Sequence, residues 1–177
     1  FWGDTIERWR REGFWDDPNG VLGSDFVQLC WSDPVIYPGE EIILEEDEDT
    51  VTLRDQWGAK LRNWKRRQGT PEHFGWECDS REVWEGKFRP ILQDRGPSVS
   101  LEAAKHAYGV ARRQGKWCHF TGLETFELLR RMIGDETAMM AMLEDPEWFT
   151  DMSALLTDRV LSDFDYLLAN GIEPDGV

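Results

Sequence analysis

Apolar residues recur at helical spacing through most of the second half of the chain. The clearest case follows Asp145-Pro146-Glu147, where a capping residue, a proline in the first turn and an early acid are typical of a helix start. The apolar positions that follow at this spacing are Trp148, Phe149, Met152, Leu155, Leu156, Val160, Phe164 and Leu167. The pattern predicts one long amphipathic helix that ends at Asn170-Gly171.

Shorter helical and extended patterns surround this helix. The helical ones fall at 1–13, 80–88, 100–113, 122–132 and 135–143. Apolar stretches predict strands at 26–31 and 117–121, and residues 174–177 resemble the start of a further strand. The alternation of strands with helices predicts a parallel sheet.

Residues 41–64 have the period of a strand instead. Their alternating apolar positions are Ile42 and Leu44, Val51 and Leu53, and Ala59 and Leu61. We therefore expect a three-stranded antiparallel meander over 40–66 with one buried face. Its first strand and turn are acidic and its last strand is basic, so we expect these charges to pair across strands. The alternative is that the basic end binds an anionic ligand.

Composition narrows the function classes. The 177 residues are 40% hydrophobic and carry a formal charge of −15, a balance that repels nucleic acid and anionic membrane surfaces. No apolar run is long enough for a membrane helix, and the first residues given do not have the charged-then-apolar pattern of a signal peptide. The three cysteines are widely spaced, with no CxxC pair, which predicts reduced thiols in a cytoplasmic protein. The ten tryptophans either pack the core or line a flat organic ligand.

Four stretches of the chain carry a family resemblance. They are FWGDTIERWRREG; EEIILEEDEDTVTLRDQWGAKLRNWK followed by TPEHF; HFTGLETFELLRRMIGD; and LEDPEWFTDMSALLTDRVLSDFDYLLANG followed by IEPDGV. In this order and spacing they resemble the uroporphyrinogen decarboxylase-like superfamily, and its methyltransferase-like branch more than the haem-pathway enzyme.

The family fold is a (β/α)₈ TIM barrel. The resemblance therefore implies an α/β chain, namely the early strands and helices of one incomplete barrel domain over 1–177, with the meander as an insertion. An open part-barrel leaves a sheet edge and apolar surface exposed. We accordingly expect these residues to be a fragment of a longer sequence, poorly stable and inactive alone.

The resemblance also implies site residues, because active sites of such barrels lie at the C-terminal ends of the strands. It implies Asp33 and His119 as catalytic residues, Asp33 because Trp31-Ser32-Asp33 is similar to a Phe-Ser-Asp motif that binds pyrrole nitrogens. The substrate-binding residues it implies are Trp2, Trp31, Thr121, Gly122 and Glu124. The alternatives are an ordinary turn aspartate before Pro34 and a core histidine.

The reaction follows from the same resemblance. The arginine motif that binds substrate carboxylates in the decarboxylases is missing, and Arg130 stands where they have a tyrosine. We therefore expect corrinoid-linked methyl transfer, acting on a small molecule or a corrinoid protein, with tetrapyrrole decarboxylation or a non-catalytic binding module as alternatives. Zinc and a corrinoid are expected for the full-length protein, with no metal or cofactor held within this chain. Whether the chain forms a homo-oligomer is left open.

Overall fold

A computed structural model describes residues 3–13, 23–67 and 69–177, and these form a mixed α/β structure with two sheets. One sheet is parallel and contains β1 (Phe26–Ser32) and β6 (Trp117–Gly122). The other is antiparallel and has the order β2 (Ile42–Glu46), β3 (Thr50–Arg54), β4 (Ala59–Trp64) and β5 (Glu72–Trp76). The described residues close no barrel.

The parallel sheet continues beyond β6 through a single bridge. Gly176 pairs with His119 in parallel, and Gly176 accepts a hydrogen bond of 3.0 Å from the amide of Phe120. The amide of Asp175 donates to the carbonyl of Cys118 at 2.7 Å. The extended segment expected at the end of the sequence is therefore the third member of this sheet, on the side of β6 away from β1.

The meander has one strand more than the sequence predicts. The strands at 42–46, 50–54 and 59–64 are confirmed, and β5 pairs with β4 as a fourth. The one buried face that we expect for the meander is only partly formed. Ala59 and Leu61 are buried, but all five residues of β2 are exposed. A bulge between Ile43 and Glu45 interrupts the pairing with β3, and alternation along β2 therefore does not carry its apolar residues onto one covered face.

The predicted charge pairs between the ends of the meander are present. Lys65 contacts Glu46 at 2.7 Å, and Arg66 contacts Asp49 at 3.5 Å. These side chains are largely exposed, so each pair contributes little stability.

Most of the helices in the second half of the chain begin and end close to the predicted positions. The helices are α1 (Gly3–Arg11), α2 (Arg81–Val83), α3 (Arg89–Gln93), α4 (Leu101–Gln114), α5 (Thr125–Ile133), α6 (Asp135–Glu144) and α7 (Pro146–Ala169). Asp145 accepts a hydrogen bond from the amide of Trp148 at 3.1 Å and so caps α7 as expected. Within the described part of the chain, no helix combines the length and apolarity that crossing a membrane requires.

The helix predicted at 80–88 does not stop before Pro90. A π-helical turn, Trp84–Phe88, joins α2 to α3, and Pro90 lies in the first turn of α3. Pro90 has no amide to donate to the preceding turn, and the wider π-helical turn lies directly before it.

Two apolar clusters form the core. The larger lies where α5, α6 and α7 meet the α2–α3 region, and Trp57 of the meander turn joins it. The smaller lies between the parallel sheet, α4 and the end of α7, and includes Leu29, Cys118 and Phe120. Cys118 and Phe120 face this cluster, and because side chains alternate along a strand, His119 and Thr121 face the other way.

Leu129→Ala tests the larger cluster. Leu129 is fully buried on α5, so the loss of its side chain should lower the free energy of unfolding by about 2–5 kcal/mol. Leu143→Ala is the matched control, because Leu143 lies on α6 with 82% of its surface exposed, and it should change stability by less than about 0.5 kcal/mol. Urea denaturation of both variants checks the difference, and equal losses would contradict the assignment of Leu129 to the core.

Candidate functional site

The C-terminal ends of β1 and β6 lie side by side. Ser32, the last residue of β1, pairs with Gly122, the last residue of β6. The chain continues from these ends into Asp33 on one side and Glu124 on the other. The structure thus brings together the two segments in which the sequence predicts site residues. Trp2, which the sequence also predicts, lies outside the described residues.

One face of the parallel sheet carries exposed aromatic rings. Phe26, Trp31 and Trp117 are 62%, 43% and 40% exposed. The ring of Trp117 stacks on His119 with the centroids 5.8 Å apart, and Phe26 meets the edge of Trp117 at 5.4 Å. Parallel sheets usually have both faces covered, so an open aromatic face is unusual for this kind of sheet.

His119 and Thr121 lie on this face with polar atoms that lack partners. Nδ1 of His119 and Oγ1 of Thr121 are both buried and form no hydrogen bond with any described residue. A buried polar atom without a partner costs about 1–3 kcal/mol, so such atoms are rare unless something else binds them. Two such atoms lie two residues apart on one strand, which makes this part of β6 a candidate for contact with a further group.

A hollow of about 580 Å³ lies beside β6, and we call it the His119 hollow. It is lined by consecutive residues of β6, by Glu124, by one side of α7 and by Val177. Consecutive strand residues point to opposite faces, so the hollow follows the outer edge of the strand. Four of the predicted site residues line this hollow, namely His119, Thr121, Gly122 and Glu124.

Two of these residues also have a structural role. The carboxylate of Glu124 caps α5, accepting hydrogen bonds from the amides of Phe126 at 2.9 Å and Glu127 at 3.0 Å. A Cβ on Gly122 would lie 3.2 Å from a methyl group of Val160. The resemblance implies Gly122 as a substrate-binding residue, and in the structure its close neighbour is α7.

Asp33 lies apart from His119 and lines a second hollow of about 460 Å³, the Asp33 hollow. The other residues around it are Val35, Pro38, Gln56, Arg95, Gly96, Pro97 and Ser98. The Oδ1 atom of Asp33 is buried with no partner among the described residues. Burial raises the pKa of this carboxyl, Arg131 partly opposes the rise, and Asp55 adds to it.

A buried carboxylate holds the two sides of this region together. Oδ2 of Asp163 accepts a hydrogen bond of 2.7 Å from Ser32, and Oδ1 accepts one of 2.8 Å from the amide of Ser98. The hydroxyl of Ser98 also bonds to Asp163 and accepts from the amide of Asp33 at 3.3 Å. We call these residues the Asp163 network.

The sequence does not predict this network, although it holds a signal for it. Asp163 stands between Val160, Phe164 and Leu167 at helical spacing, so an acid occupies the buried stripe of α7. A buried acid needs hydrogen-bond donors, which is a reason to look for partners of the Ser32 and Ser98 type.

The described residues do not fit a zinc site. They contain no group of three or more histidine, cysteine or acidic side chains that could hold a metal ion. Cys118 faces away from His119 and donates from its thiol to Asp175. Burial raises the pKa of Cys30 to about 11 and that of Cys78 to about 12, so these thiols stay protonated at neutral pH.

A further hollow, of about 640 Å³, lies between the meander turn and the α5–α6 junction and contains none of the predicted residues. Much of its wall is charged, and Arg130 there pairs with Glu127 at 3.1 Å and Asp135 at 3.4 Å. Comparisons of the chain with protein-family models, with curated proteins and with solved structures find no match.

Asp33→Asn tests the environment of the carboxyl. A raised pKa in the folded state means that ionising Asp33 costs the fold more than it costs the unfolded chain. Stability is therefore lost as the pH rises through the folded-state pKa. The variant should melt at a higher temperature than the wild type at pH 7, and the two should converge near pH 4, where free aspartate titrates at about 3.9.

Asp158→Asn is the matched control, because Asp158 is exposed on α7 and should show a much smaller pH-dependent difference. Thermal melts at several pH values check this. An Asp33→Asn variant that is less stable than the wild type at pH 7 would contradict the placement of an unpartnered carboxyl oxygen.

Proposed function

We propose that this chain is part of a uroporphyrinogen decarboxylase-like (β/α)₈ barrel enzyme that transfers a methyl group to or from a corrinoid. The observation that carries the proposal is a set of three unpartnered polar atoms, two on β6 and one directly after β1, which belong to residues lining two hollows. They are Asp33 Oδ1, His119 Nδ1 and Thr121 Oγ1. Binding groups at the carboxyl ends of parallel strands are typical of barrel active sites.

The strand order supports the barrel part of the proposal. β1, β6 and the segment at Gly176 lie next to one another in chain order and run parallel. Helical segments connect them, α4 immediately before β6 and α5–α7 after it. In a barrel, the face with Trp31, Trp117 and His119 would point inward, where its aromatic surface would be covered.

The chemistry of that face supports a large, flat substrate. Exposed indole rings pack well against planar conjugated rings, and His119 and Thr121 would hydrogen-bond polar groups at the rim of such a ring. Burial raises the pKa of Asp33, which favours a proton on this carboxyl and suits a role in proton transfer. The corrinoid supplies the reactive cobalt when bound. If the complete enzyme uses zinc, its ligands come from elsewhere, because the described residues offer no such set.

Tryptophan substitutions test this function. In the complete protein that contains this chain, Trp31→Ala and Trp117→Ala should each weaken corrinoid binding about tenfold. Each substitution removes a ring that would stack on the corrinoid and bury apolar area against it. Trp64→Ala is the matched control, because Trp64 is 42% exposed, like the other two, but lies on the meander. The measurement is cobalamin binding by calorimetry, together with methyl transfer followed by corrinoid absorption.

Equal effects of all three substitutions would contradict the assignment of the aromatic face. Carbon dioxide release from uroporphyrinogen without methyl transfer would replace the proposal with the tetrapyrrole decarboxylase. A complete protein that binds neither a corrinoid nor a tetrapyrrole would make the non-catalytic binding module the better account.

A further inference from the structure

Two arginines beside the Asp33 hollow have no acidic partner. Most half-buried or buried arginines of this acidic chain pair with a carboxylate, as Arg54 does with Glu40 at 3.1 Å and Arg89 with Asp151 at 2.9 Å. Arg95 and Arg159 are also partly buried, yet neither forms an ion pair within the ranges that the structure describes. In a chain with 35 acidic and 20 basic residues, two neighbouring unpaired arginines require an explanation.

Backbone carbonyls fix the position of both guanidinium groups. Arg95 donates to the carbonyl of Val35 and, at 2.7 Å, to that of Ile36. Arg159 reaches from α7 to donate to the carbonyl of Gly96 at 3.0 Å. Arg95 and Gly96 line the Asp33 hollow, and Arg159 bonds to Gly96, so both arginines are anchored at the same segment of its wall.

These bonds leave donors unused. A guanidinium group has five N–H donors, and the bonds above use two of those on Arg95 and one on Arg159. The Nε of Arg159 is buried without any acceptor among the described residues. A buried charged donor that lacks an acceptor is more costly than a neutral one, so a ligand that accepts hydrogen bonds here would be strongly favoured.

The electrostatics favour an anion in the same place. Burial and the nearby charge of Arg159 lower the pKa of Arg95, and no carboxylate offsets them. Two like charges with reduced solvation repel each other, and an anion between them would remove that repulsion. A planar guanidinium fork matches the oxygens of a carboxylate or phosphate group.

We propose that Arg95 and Arg159 form a binding site for a small oxyanion, a carboxylate or phosphate group, at the wall of the Asp33 hollow. The ligand would place its anionic group against the two guanidinium groups and the rest of its body towards Asp33. This site stands on the geometry of the two arginines alone, so it does not depend on methyl transfer being the reaction.

The test is a titration of the complete protein that contains this chain with inorganic phosphate and, separately, with acetate, at constant ionic strength. The signals followed by nuclear magnetic resonance are the Nε–H groups of Arg95 and Arg159. We expect saturable shifts of both signals with at least one anion, and the stronger of the two titrations identifies the anionic group preferred. No saturable shift of the Arg159 signal with either anion would overturn the proposal.

Substitutions separate a built site from general attraction. Arg95→Gln and Arg159→Gln should each weaken binding about tenfold or more, because each removes charge-assisted hydrogen bonds. Arg130→Gln removes one positive charge that is already paired with Glu127 and Asp135, and should change the affinity less than about twofold. Equal weakening by all three variants would overturn the site. If the glutamine variants fail to fold, the wild-type titration alone decides.

Discussion

The buried carboxylate of Asp163 is the contact on which the arrangement of the site depends. It is 1% exposed, and it accepts hydrogen bonds from three donors on two other segments, Ser32 at the end of β1 and both the amide and hydroxyl of Ser98. An ionised carboxylate removed from water costs several kcal/mol unless donors surround it. The positions of α7, the end of β1 and the loop at Ser98 are therefore tied to one another.

The positions of the walls of both hollows depend on these hydrogen bonds of Asp163. On one side of Asp163, Val160 and Phe164 of α7 form a wall of the His119 hollow. On the other, Ser98 lines the Asp33 hollow and accepts the amide hydrogen of Asp33. Arg159 comes from the same helix to the loop beside Ser98. One polar contact in an apolar stripe thus sets the positions of both the proposed catalytic carboxyl and the proposed anion site.

Much of the helical structure could be predicted, because its signals are local. Asp145-Pro146 before α7, Ser100 before α4 and Gly115 after it act as the caps that their residue types suggest. The strand β5 was missed because Glu72–Trp76 contains a glycine and lacks a clear alternation. The continuation of the helix through Pro90 depends on a π-helical turn, which has no local sequence signature that could be used here.

Part of the site could also be predicted, again where the sequence signal is local. His119 and Thr121 could be assigned to one face from alternation along a single strand, and they share that face. That Asp33 lies in a different hollow from His119 depends on how α7 and the loop at Ser98 pack, which no local pattern gives. Arg95 and Arg159 are 64 positions apart in numbering and converge only through the fold.

The most direct test of the central role of Asp163 is hydrogen exchange at individual amides in the Asp163→Asn variant. An amide side chain keeps the size of the carboxyl but loses the charge and one acceptor oxygen. Exchange at the amides of Asp33 and Ser98 should become at least about tenfold faster, as expected for a loss of about 1.4 kcal/mol of local stability. Asp165→Asn, an exposed neighbour on the same helix, should leave these amides unchanged. Unchanged protection of Asp33 and Ser98 in Asp163→Asn would contradict the account.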